Sequence, residues 1–200
     1  MIDILSPQSS ELNFRQRWAS YLTIIVAVAG LIGGLLERSS IIDASLRFED
    51  KQAGIAVRYP ENWLLEQSQA DFVLRVQDPA AAPFKTLLQI ALQPIGSGTR
   101  SALDVLNPLS ISRAGSLPAY RTLDSSPLTL PNGAQATQMA YAYAYTESNP
   151  VLQTVPITVL AVDVVVLRSN QAIIITYRAD AQSFERNRHY FNAFLRTLEF

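Results

Sequence analysis

Nineteen consecutive residues without a charge, Trp18 to Leu36, constrain this 200-residue chain more than any other feature. As a helix they rise about 28 Å, close to the roughly 30 Å hydrocarbon core of a bilayer. Trp18 and Tyr21 stand where interfacial aromatics belong, and Arg15 and Arg17 can reach one headgroup layer. The run ends in Leu35-Leu36-Glu37-Arg38, a poor match to the small-x-small site of a cleaved signal peptide. The expectation is therefore a tail over 1–17 and an uncleaved spanning helix over 18–36. Arg15 and Arg17 favour a cytoplasmic N-terminus, with the C-terminal domain in a periplasm, a lumen or the cell exterior. Arg38 and Arg47 dilute that bias. Gly30 and Gly34 form a GxxxG pair, and Ala29 and Gly33 a second small-xxx-small pair. Small residues four apart let helix backbones approach closely in lipid, which implies a partner helix from a second copy or another subunit. Gly and Ala are also simply common in membrane helices.

The stretch beyond Leu36 is long enough for one domain with its own core. A formal net charge of −1 supplies no bulk field toward nucleic acid. The absence of cysteine excludes disulfides, thiolate metal sites, a Cys nucleophile and a lipoprotein-type anchor.

Residues 37–53 read as a polar, charge-mixed link and 54–200 as the globular domain. Ile55 to Tyr59 forms a short strand stopped by the Pro60-Glu61-Asn62 turn. Strands come next at 63–67, 72–77 and 85–95, with Phe72, Leu74 and Val76 on one side of the second. One internal helix fits Arg100 to Ala114, with Leu103, Leu106 and either Leu109 or Ile111 expected to face inward and Pro108 to end or kink it. Short strands at 120–123 and 128–130 lead through an Asn132-Gly133 turn to a long strand over 134–146. The strands 156–168 and 172–178, joined at Ser169-Asn170, are apolar on both sides, so they belong mid-sheet with a covering layer on each face. A helix over 182–195 carries the apolar stripe Phe184, Phe191, Phe194, Leu195, continued by Leu198. The fold class is α+β, an antiparallel sheet between helices.

Gly54-Ile55-Ala56-Val57-Arg58-Tyr59-Pro60-Glu61-Asn62-Trp63 resembles the opening signature of the PsbP-like domains, a superfamily shared with the Mog-type nuclear-transport factor. The ending resembles it too: a strand with Ala172-Ile173-Ile174-Ile175-Thr176-Tyr177, a helix through Phe184, Phe191 and Phe194, then Leu198-Glu199-Phe200. The resemblance covers about residues 50 to 200. It implies an α-β-α sandwich without a catalytic centre common to the family. Many members are accessory subunits of photosynthetic complexes on the lumenal or extracytoplasmic side. This chain departs from the chloroplast members in carrying a membrane helix in place of a transit peptide, and it lacks a Lys-rich surface.

The residues that bear chemistry are few. His189, the single histidine, falls toward the polar flank of the last helix, where an exposed side chain is the simpler reading than a catalytic base. Glu49 and Asp50, with Asp43 nearby, form the densest acidic cluster but lack calcium-loop spacing, and a solvated acidic link accounts for them. Asp163 interrupts an apolar strand, where an unpaired carboxylate is costly. It marks a strand edge or pairs with an arginine such as Arg178, and a functional acid is the rarer alternative. Gly96-Ser97-Gly98 lacks the remainder of a phosphate loop. In Met139 to Tyr145, period two places Tyr141, Tyr143 and Tyr145 on one face and alanines on the other. The tyrosines either pack beneath a helix or present a half-exposed surface to a protein partner.

No catalytic residue, cofactor or metal site is expected. The sequence points to a membrane-anchored, non-catalytic accessory or assembly subunit of a larger photosynthetic or respiratory complex. The alternative is an extracytoplasmic ligand-binding or sensing module, which calls for a sizeable pocket beside the sheet. A hydrolase would need His189 near a Ser and a carboxylate.

Overall fold

The computed structural model describes residues 45–66, 71–146 and 155–200, together with Ile24 and Val28. Ile24 and Val28 are helical and exposed. The rest of 18–36, with Ala29, Gly30, Gly33 and Gly34, lies outside the described residues. Among the described residues no helix is long and apolar enough to cross a membrane.

The globular unit begins at Ser45, inside the stretch expected to be a link. Ser45–Asp50 is a strand, β1, which pairs antiparallel with β2 (Ile55–Pro60). Phe48 supplies the reason, since it packs against the core instead of facing water. Asp50 Oδ1 accepts from the backbone of Gln52 and Ala53, closing the turn. Gly54 then takes a φ of 63°, and a Cβ there would come within 3.1 Å of the Arg168 guanidinium. Only glycine meets both conditions without strain.

The remaining strands form one seven-stranded antiparallel sheet. They are β3 (Leu64–Glu66), β4 (Leu74–Gln77), β5 (Leu87–Pro94), β6 (Arg121–Thr129), β7 (Gln135–Tyr145), β8 (Ile157–Arg168) and β9 (Gln171–Asp180). Their order is β3-β4-β5-β9-β8-β7-β6, so the two-sided apolar strands β8 and β9 are central. Helix α1 (Leu103–Ser116) comes after β5, and α2 (Phe184–Arg196) after β9.

Alternation along β8 and β9 divides the core. Val162, Val164, Ile173, Ile175 and Tyr177 face α2, whose buried residues are Phe184, Phe191, Phe194 and Leu195. Val165, Ala172 and Ile174 face the other way, toward Val105 and Leu106 of α1. The architecture is a helix–sheet–helix sandwich, with β2 also packed on the α2 side.

Two local expectations need correcting. The strands placed at 120–123 and 128–130 are one strand, β6, with a bulge between Thr122 and Asp124. Pro127 fits there because β6 is at the sheet edge, where one flank needs no donor. Pro108 does not end α1, and the helix runs on to Ser116. Pro108 is on the exposed side, so water can satisfy the carbonyl that loses its N–H. Beyond the sheet, Glu199 forms an isolated antiparallel bridge with Ala56 (3.0 and 2.8 Å), and its carboxylate meets Arg47 at 3.2 Å.

Candidate functional site

The α1 face of the sheet departs from apolar packing at its middle. Asp163 on β8 is fully buried, and β8 is an interior strand, so it does not mark a sheet edge. Nor is Arg178 its ion-pair partner. Arg113 reaches down from α1, its Nη2 2.9 Å from each carboxylate oxygen. Only Oδ1 receives an aligned N–H, and Thr176 Oγ1, directly across on β9, donates to the same oxygen at 2.7 Å. Arg113 Nη1 donates to the Tyr141 hydroxyl, and the guanidinium lies 4.9 Å from that ring's centroid. Arg178 extends the cluster toward β5, with its guanidinium 5.9 Å from the Tyr143 centroid.

Burial sets the electrostatics. It pushes the Asp163 carboxyl above the usual range, and Arg113 and Thr176 only partly counter it. Burial likewise raises the Tyr141 and Tyr143 hydroxyls, which stay protonated. For Arg178 burial opposes the charge, but Tyr141, Tyr143 and Asp163 outweigh it and the net shift is upward. Among the described residues, the buried side-chain polar atoms lacking a hydrogen bond are Arg113 Nε, Asp163 Oδ2 and Arg178 Nε. All three belong to this one cluster.

The tyrosine ladder therefore belongs largely to the interior. Tyr141 and Tyr143 are buried, so they do not form the partner surface considered for them. Tyr141 packs against Tyr120 (5.2 Å) and Tyr143 (6.3 Å), and Tyr120 is tied to Ser110 of α1 at 2.9 Å. Tyr145 is only half-buried. It meets Phe84 edge-on at 5.0 Å, at the mouth of an open cavity of about 710 Å³ over β4 and β5. The cavity's charged and polar lining comprises Arg75, Lys85, Arg178, Gln77 and Gln89.

His189 is exposed on α2, on the opposite face from this cluster, with Nδ1 2.7 Å from the Arg186 carbonyl. No Ser–carboxylate pair meets it there among the described residues. Glu49 lies 3.8 Å from Arg47, and Asp50 is used by its own turn. Among the described residues no three His, Asp or Glu side chains cluster as metal ligands would.

Large apolar side chains do reach the surface beside α1. Ile111 is 75% exposed and Leu123, at the β6 bulge, 54%. Each directly succeeds a member of the Ser110–Thr122 hydroxyl pair, 3.3 Å apart, which links helix to edge strand. Leu103 of α1 is exposed as well, so neither it nor Ile111 takes the inward place expected of it.

Sequence reasoning missed Arg113. A signal existed: it stands seven residues after Leu106, two turns on, and so shares its inward direction.

No protein-family model and no curated protein matches the chain. Solved structures do. The solution structure of cyanobacterial PsbP (CyanoP) from Synechocystis sp. PCC 6803 gives a TM-score of 0.57 at 14% identity, over 79% of this chain and 93% of that one. LpqN of Mycobacterium tuberculosis, described as involved in cell envelope biogenesis, gives 0.50 at 17% identity, over 78% and 91%. The Saccharomyces cerevisiae Ran-binding protein Mog1p gives 0.51 at 7% identity, over 78% and 95%. The chain shares the fold of all three, as the Tyr59-Pro60-Glu61-Asn62-Trp63 turn and the closing strand and helix led one to expect.

Proposed function

We propose that this protein is a non-catalytic accessory or assembly subunit, anchored by the helix over 18–36, that holds its globular domain against a larger photosynthetic or respiratory membrane complex. In this reading the N-terminus is cytoplasmic and the domain extracytoplasmic. The observation that carries it is the exposed apolar surface of Ile111 and Leu123 beside β6, which no further strand pairs among the described residues. Apolar side chains next to a terminal strand of the sheet suit a protein partner, through packing and strand addition together. The sharing of a fold with Mog1p, whose description is Ran-binding, and with LpqN is in keeping with a binding role. The Ala29, Gly30, Gly33 and Gly34 face supplies a second contact, with a neighbouring helix inside the membrane.

The test is gentle detergent extraction of a tagged copy from its native membrane, with mass spectrometry of what accompanies it. A fixed set of membrane subunits in constant ratio, reduced by Ile111→Glu or Leu123→Glu, is the expected result. A lone monomer under the same conditions overturns the proposal.

A further inference from the structure

The cavity over β4 and β5 has an unbalanced charge. Three cations line it, Arg75, Lys85 and Arg178, and no carboxylate does. Arg75 is paired with Glu66 at 3.1 Å and bonded to Gln89 at 2.9 Å, so its charge is spoken for. The other two are not. Among the described residues no acidic side chain lies within ion-pair distance of Lys85 or Arg178, the nearest buried carboxylate, Asp163, being taken by Arg113. The Tyr141 and Tyr143 hydroxyls and the more distant Asp163 favour the charge on Arg178, but the hydroxyls are themselves neutral and Asp163 is ion-paired with Arg113. Arg178 Nε is buried without a hydrogen-bond partner. A guanidinium with one buried donor unused has room for a further, anionic acceptor.

The rest of the wall describes the ligand's body. Phe84 and Tyr145 stand edge-on at 5.0 Å and form an aromatic side to the cavity. A volume of about 710 Å³ suits a small molecule.

We propose that this cavity binds a small organic phosphate monoester, its head between Arg178 and Lys85 and its aromatic or apolar body against Phe84 and Tyr145. Two cations without an ion-pair partner among the described residues match a head bearing about −1.5 to −2 charges better than a singly charged carboxylate. Arg178 supplies planar, directed donors and Lys85 a mobile point charge at the rim. Occupancy of this site is independent of whether the chain joins a larger complex.

Calorimetric titration of the full chain in a non-ionic detergent tests it, with phenyl phosphate as ligand and benzoate and benzyl alcohol as comparisons. Saturable one-to-one binding of phenyl phosphate is expected, about tenfold or more tighter than benzoate, with none for benzyl alcohol. Arg178→Gln weakens it by about tenfold and exposed Lys85→Gln by about threefold. Lys85→Gln also decides the matter if Arg178→Gln does not fold, because a surface change leaves the core intact. Phenyl phosphate failing to bind up to about 10 mM overturns the proposal. So does binding that neither variant alters, or benzoate binding as tightly as phenyl phosphate.

Discussion

The two faces of the central sheet are built from the same strands and held by opposite means. On the α2 side, Val162, Val164, Ile173 and Ile175 meet three phenylalanines, and even the Tyr177 hydroxyl is used locally, donating to the Phe184 carbonyl at 2.7 Å. One residue along, the α1 side carries Asp163, Thr176 and Arg178, and the helix above it answers with Arg113. Apolar burial is non-directional and roughly proportional to area, so the α2 face supplies most of the stability. A buried ion pair roughly breaks even against apolar replacements, but it fixes one orientation of α1 over the sheet. Among the described residues the polar face is also the one that holds the cavity.

Four measurements put that contrast to the test. Phe194→Ala, on the α2 side, is expected to cost about 4 kcal/mol in denaturant unfolding, through lost transfer energy and the hole it leaves. Arg113→Met strands the Asp163 charge and costs about 3 kcal/mol, whereas adding Asp163→Val to it recovers most of that loss. Such a recovery is impossible on the α2 face, where no charge can be removed to compensate. If the double variant is as unstable as the single one, the ion pair is a true source of stability and the contrast between faces dissolves.

Alkaline titration offers a subtler comparison, because each face buries a tyrosine. Burial raises the pKa of both Tyr141 and Tyr177 above the ordinary value of about 10. The folded state then holds these protons more tightly than the unfolded chain. Their contribution is fully present below about pH 10 and is lost as pH rises above it. Tyr141→Phe and Tyr177→Phe should each flatten the decline of stability by about 1.4 kcal/mol per pH unit. A flattening by only one of them would show that the other hydroxyl reaches solvent. The smallest effect belongs to the surface: Ile111→Glu should change stability by less than about 0.5 kcal/mol while weakening association. A large loss of stability there would place Ile111 in packing instead of in an interface.

These faces were unequally legible in the sequence. The α2 side was readable because Phe184, Phe191, Phe194 and Leu195 repeat with helical period, and β8 and β9 because their runs are apolar on both sides. The α1 side was not, since its buried set is Val105, Leu106 and Arg113, and a pattern search discounts an inward arginine. Asp163 announced a buried partner but could not name it, for Arg113 is 50 residues away. Arg178 was the nearer guess, on the strand that pairs with β8 and on the same face as Thr176, and it proved to be a neighbour of the cavity. β1 was hidden by its charges, Arg47, Glu49 and Asp50, which are interleaved with Leu46 and Phe48. The cavity arises where β4, β5 and the 81–85 loop meet β7 and β9, an adjacency that only the assembled sheet creates.

The bridge between Ala56 and Glu199 has a consequence for how the protein is made. Arg47 and Glu199 are 152 residues apart, yet they close the same corner of the domain. At about 5–20 residues per second, a ribosome adds Glu199 about 8–30 s after Arg47. Throughout that interval Ile55 and Val57 have no α2 to pack against. The nascent chain therefore spends most of its synthesis with the apolar side of the β1–β2 hairpin uncovered, since the residues that bury Ile55 and Val57 come last.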